Sequence, residues 1–81
     1  MITAERLRWL QDNKIHGEVA AVVKKLNPKK SDKLISYSEA LSIINGNLWG
    51  THGKLFTDEL EKVIRTRLAA AEKEKAKYAT T

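Results

Sequence analysis

SYSEALSIINGNLWG, residues 36–50, decides how the chain reads. Ser36 and Glu39 have the spacing of a capping box, in which each side chain satisfies a free backbone amide at the other's end of the first turn. Ala40, Ile43 and Ile44 recur at helical spacing and make one apolar side. Asn45-Gly46 is a stop, because glycine enters the left-handed region without steric cost. The pattern predicts a short helix over 36–45, about two and a half turns, fixed at both ends. Helical spacing puts Tyr37, Ser38, Leu41, Ser42 and Asn45 on its outer side.

Upstream, Thr3 is a candidate N-cap for a first helix over 4–13, with Leu7 and Leu10 at helical spacing between Ile2 and Ile15. Trp9 lies partly off that stripe. His16-Gly17 allows a turn. A second helix fits 17–26, where Val19, Val22, Val23 and Leu26 share a face and Ala20 permits close packing. Pro28 biases Asn27 away from helical angles, so NPKKSDKLI, residues 27–35, reads as a loop anchored by Leu34 and Ile35.

Downstream, NLWGTHGK is irregular, and Trp49 is expected to pack beneath it rather than bind anything. Thr57 is the expected cap of a last helix over 58–77. Asp58, Glu59 and Glu61 then fall in its first turn, where the dipole favours anions. Leu60, Val63, Ile64 and Leu68 form its stripe, with Asp58–Lys62 and Glu61–Arg65 as four-residue ion pairs. Beyond Ala71 the stripe ends and EKEKAKYATT should fray. The expected core is Leu7, Leu10, Val19, Ala20, Val23, Ala40, Ile43, Ile44, Leu60 and Ile64. There is no strand signal of weight and no internal repeat. The chain reads as one all-α domain over 1–72, a small bundle of four to five helices, with a charged tail over 73–81.

Composition narrows the function. Of 81 residues none is cysteine, which removes disulfides and thiolate metal sites. No apolar run approaches the roughly 20 residues of a membrane span. MITAERLRWL mixes acid and base and lacks the apolar centre of a signal peptide, so a soluble, cytoplasmic protein is expected. The net charge of +5 is unevenly placed. Residues 24–33 hold Lys24, Lys25, Lys29, Lys30 and Lys33 against Asp32, almost the whole imbalance. A basic patch of this kind is the footprint of a polyanion binder. Catalytic signals are missing by comparison. His16 and His52 each flank a glycine in a turn, with no acid or histidine at ligand spacing, and read as exposed. The glycines are scattered rather than forming a phosphate loop, and no nucleophile has a base nearby in sequence. Neither an enzyme, a cofactor, a metal nor a small-molecule substrate is expected.

The succession of a helix, then EVAAVVKKL, a connection, SYSEALSIINGN and a further amphipathic helix resembles the lambda repressor-like family of helix-turn-helix DNA-binding domains. The resemblance covers about residues 4–69. Ala20 or Ala21 matches the small residue that the family's second helix turns toward the third, Ala40 and Ile43 match the buried pair of the third helix, and Asn45-Gly46 matches its ending. The connection before the third helix is longer than the family's tight turn, so either helix two is longer or NPKKSDKLI is an expanded loop. The resemblance implies a small phage or bacterial regulator of transcription that binds double-stranded DNA as a homodimer, with residues 36–45 as recognition helix. Ser38, Leu41, Ser42 and Asn45 are then the base contacts. Tyr37, Lys25, Lys29, Lys30, Lys33 and Asn47 are the phosphate contacts, and Leu55, Phe56 and the last helix supply the dimer surface. The competing expectation is a helical protein–protein interaction module, such as a small adaptor or inhibitor, whose lysines meet an acidic protein.

Overall fold

A computed structural model describes residues 2–27 and 35–79, with side chains through Lys75. It holds four helices in this order: α1 (Ala4–Asn13), α2 (Glu18–Leu26), α3 (Tyr37–Ile44) and α4 (Gly53–Ala79). The described residues contain no strand, so the all-α class expected from the sequence holds.

The starts of α1 and α3 have a local cause. Thr3 Oγ1 accepts from the Arg6 amide, which caps α1. Ser36 Oγ accepts from the Glu39 amide at 3.0 Å, which caps α3. Only this half of the expected capping box forms, because the Glu39 carboxylate turns instead to His52. At the other end of α3, Gly46 has φ +81°. The Asn47 amide returns to the Ser42 carbonyl at 2.9 Å and the Gly46 amide to the Ile43 carbonyl at 3.1 Å. This is a complete Schellman stop.

The last helix departs from expectation. It begins at Gly53, where the Phe56 amide bonds the His52 carbonyl at 2.9 Å. Thr57 is therefore not a cap but a buried residue within α4, its hydroxyl donating to the Gly53 carbonyl at 2.8 Å. The early start has a steric basis. A Cβ at residue 53 would overlap the Trp49 ring, so only glycine lets the indole lie against the first turn of α4. Trp49 is half-buried there, as expected of an anchor. Asp58, Glu59 and Glu61 accordingly lie beyond the first turn. Helical backbone continues past Ala71 to Ala79, with the side chains of residues 69–75 exposed.

α4 is the common partner, packing on α1, α2 and α3. α3 also packs on α1 and α2, whereas α1 and α2 do not meet face to face among the described residues. The core is Leu10, Val19, Val22, Ile35, Ala40, Ile43, Ile44, Phe56, Leu60 and Ile64. Leu7 and Val23 pack against it half-buried. Two expectations fail here. Ala20 and Ala21 are both exposed, because α2 turns Glu18, Val19 and Val22 inward. Phe56 is fully buried and belongs to the core, not to a dimer surface, while Leu55 remains exposed.

Polar struts cross the same seams. Arg6 of α1 donates to Glu61 at 2.9 Å and to Asp58 at 2.8 Å on α4, so Asp58 serves α1 rather than Lys62. Glu61 also takes the expected pair with Arg65, at 3.3 Å. Arg65 in turn lies 4.7 Å over the Trp9 ring. Arg67 donates to the buried Glu18 at 2.9 Å and to the Asn13 carbonyl. Lys25 pairs with Glu59 at 3.1 Å. Among the described residues no helix is long and apolar enough to cross a membrane.

Candidate functional site

The site is built around α3. Its inner side, Ala40, Ile43 and Ile44, is buried almost completely, which fixes the rotation of the helix on the core. Its ends are fixed by Ser36 and Gly46. The outer side therefore has one orientation. Ser38 and Asn45 are exposed, and Tyr37 is 52 % exposed. Leu41 and Ser42 are half-buried. Ser42 is partly covered because the Asn47 and Leu48 amides both fold back onto its carbonyl, at 2.9 and 3.2 Å. Among the described residues the side chains of Tyr37, Ser38, Ser42 and Asn45 make no hydrogen bond, so their donors and acceptors are uncommitted. Asn47 is exposed just past the stop.

Beside this helix the expected phosphate contacts divide. Lys29, Lys30 and Lys33 lie outside the described residues. Lys24 is exposed and Lys25 stands in the last turn of α2, where a cation complements the C-terminal dipole. The Lys25 ammonium is already paired with Glu59, so an incoming phosphate would have to share it.

Three contacts escape sequence reading. His52 Nδ1 stands 3.0 Å from Glu39 Oε1, which ties the first turn of α3 to the start of α4. His52 is half-buried by this contact and is not the exposed turn histidine expected, whereas His16 is exposed. Asn27 pairs with both backbone groups of Ile35. Glu18 is held by Arg67 and by the Ile15 amide at 2.8 Å. Burial opposes ionisation of Glu18, yet the Arg67 guanidinium and that amide outweigh it, and its pKa lies below the ordinary value. Glu61 is likewise held low, chiefly by Arg6 and against partial burial, with Arg65 adding to the effect. Glu61–Arg65 and Glu18–Ile15 are local, four and three positions apart, whereas the other pairs join residues whose proximity depends on the fold.

Between the start of α1 and the C-terminal end of α3 lies an open groove of about 310 Å³, lined mainly by Ile2, Leu7, Ile43, Leu48 and Trp49. Its chemistry is apolar, with Asn47 at the rim. Among the described residues no group of three or more acids and histidines is placed to hold a metal ion.

No family model, no curated protein and no solved structure matches this chain.

Proposed function

We propose that the protein binds double-stranded DNA in a sequence-dependent way and acts as a small regulator of transcription, with α3 as its reading helix. The observation that carries this is the pose of α3. An eight-residue helix is locked on its inner side and at both ends, while Tyr37, Ser38 and Asn45 stand outward with uncommitted polar groups. A reading head in the major groove requires this combination, since short polar side chains on a fixed helix can tell donor from acceptor on a base edge. The charge supports the same assignment. Five lysines over residues 24–33 flank the start of α3 in sequence and would supply phosphate attraction. A homodimer on a two-fold site and a cytoplasmic location belong to the same proposal, as one such module reads only a few base pairs.

The competing module that binds protein draws on the apolar groove beside Leu48 and Trp49. Gel-shift titration on random duplex DNA separates the two. Binding at about 50 mM salt that weakens steeply as salt rises is expected of the DNA binder. Absence of binding there would move the assignment to the protein-binding module.

A further inference from the structure

Asn27 caps the C-terminus of α2, and its carboxamide also does something less common. Its Nδ2 donates to the Ile35 carbonyl, and its Oδ1 accepts from the Ile35 amide at 3.1 Å. The two residues are eight positions apart. One planar side chain thus satisfies both polar groups of one residue, as a neighbouring strand would. A carboxamide offers a donor and an acceptor in one plane, which this double contact needs.

Ile35 is buried, and the residue after it, Ser36, is the N-cap of α3. The contact therefore sets where α3 begins relative to the end of α2. The end of α2 and the residue before the α3 cap are thus tied directly by one side chain.

We infer that Asn27 is a positioning residue for DNA recognition, resting on the DNA-binding reading above: by holding Ile35 it fixes the angle at which Tyr37, Ser38 and Asn45 are presented. Asn27 itself needs no contact with DNA. The two parts of binding then respond differently to its loss. Lysine attraction to phosphates tolerates a small swing of α3, whereas hydrogen bonds to base edges do not.

The test uses the full chain, wild type and Asn27→Ala. Each is titrated on a site selected from random duplex by the wild-type protein, and on the unselected duplex. For Asn27→Ala the ratio of the two affinities is expected to fall about tenfold, the scale of one lost base contact. Affinity for random duplex should stay within about twofold of wild type, and its salt slope should not change, since no phosphate contact is removed. Hydrogen exchange at the Ile35 amide should speed up in the variant. Circular dichroism records the folded fraction, and Asn27→Ser, which can keep one of the two bonds, replaces the alanine variant if that fails to fold. An unchanged ratio in a folded variant overturns the role of Asn27 and leaves DNA binding standing. Equal losses on both DNAs, unchanged exchange at Ile35, or failure of both variants to fold also overturn it, as marks of a merely structural residue. A wild-type protein that binds no duplex removes the DNA-binding reading itself, and the positioning role falls with it.

Discussion

Arg67 of α4 closes on Glu18 at the start of α2, 49 positions away in sequence, with Nε 2.9 Å from Oε2. The same guanidinium bonds the last carbonyl of α1, that of Asn13. One side chain thereby joins three helices at a corner where α1 and α2 share no packed face. Glu18 is buried to within a few per cent of its surface, so the pair is not an ordinary surface ion pair. Removing Arg67 leaves a buried carboxylate without its counter-charge.

That pair makes stability depend on pH. The folded-state pKa values of Glu18 and Glu61 lie below the ordinary 4.5. Through the window from about 4.5 down to those lower values, the unfolded chain binds more protons than the folded one, so stability falls as pH falls. The melting temperature of the wild type should be level at neutral pH and drop as the pH is taken below about 4.5. Glu18→Gln should melt lower at neutral pH and lose less on acidification. A wild-type melting temperature that stays flat down to about pH 3 would contradict this account.

Gly46 should resist substitution. Its φ of +81° strains any residue with a Cβ, and that atom would also meet Leu7 Cδ2 at 3.2 Å. Gly46→Ala is expected to cost about 1–2 kcal/mol from the backbone alone. Urea unfolding measures it, and a variant as stable as wild type would sink the Schellman stop as the determinant of where α3 ends.

Ile43 anchors α3 to the core with 1 % of its surface exposed. Truncation to alanine should cost roughly 2–5 kcal/mol, the range for buried aliphatic residues. Thermal unfolding gives the value, and a loss well under 1 kcal/mol would mean that α3 is not held by its inner side.

Lys30 and Ser38 should fail in different ways. A lysine is a flexible point charge that any phosphate satisfies. Lys30→Ala is therefore expected to weaken binding to all duplexes alike and to make the salt slope shallower by roughly one. Ser38→Ala should leave that slope alone and change base preference, costing on the order of 1–3 kcal/mol on a selected site. Salt titrations on selected and random duplex measure both. If the Ser38 variant keeps the preference of wild type, α3 does not read through this residue.

What could be read from the sequence was local. Thr3 and Ser36 as caps, the bounds of α1 and the glycine stop of α3 depend on residues three or four positions apart, and the structure has them where they were expected. The outer side of α3 followed from the same spacing, apart from Leu41, which packs half-buried against the core, and Ser42, over which Asn47 and Leu48 wrap. The start of α4 was not local. Thr57 has the chemistry of a cap, but the packing of Trp49 on Gly53 starts the helix a turn earlier, and that contact exists only once the fold does. Phe56 follows from the same shift, since an earlier start puts it in line with Leu60 and Ile64. The clamp at Asn27, the Glu39–His52 contact and the pairs of Arg6 and Arg67 all join separate elements, and no periodicity announces them.

The arrangement around α4 also constrains how the chain can acquire its structure during synthesis. α1, α2 and α3 have been made before Phe56, Leu60 and Ile64 exist, yet those three form the face on which all of them pack. The first fifty or so residues can bring α3 against α1 and α2, but α1 and α2 offer each other no packed face and the shared face of α4 is missing. Domains commonly fold as units while the chain emerges. Here the unit is complete only when Arg67 has followed, so a ribosome stalled before α4 should display a chain that proteases cut freely, and one stalled well beyond it a chain that resists them.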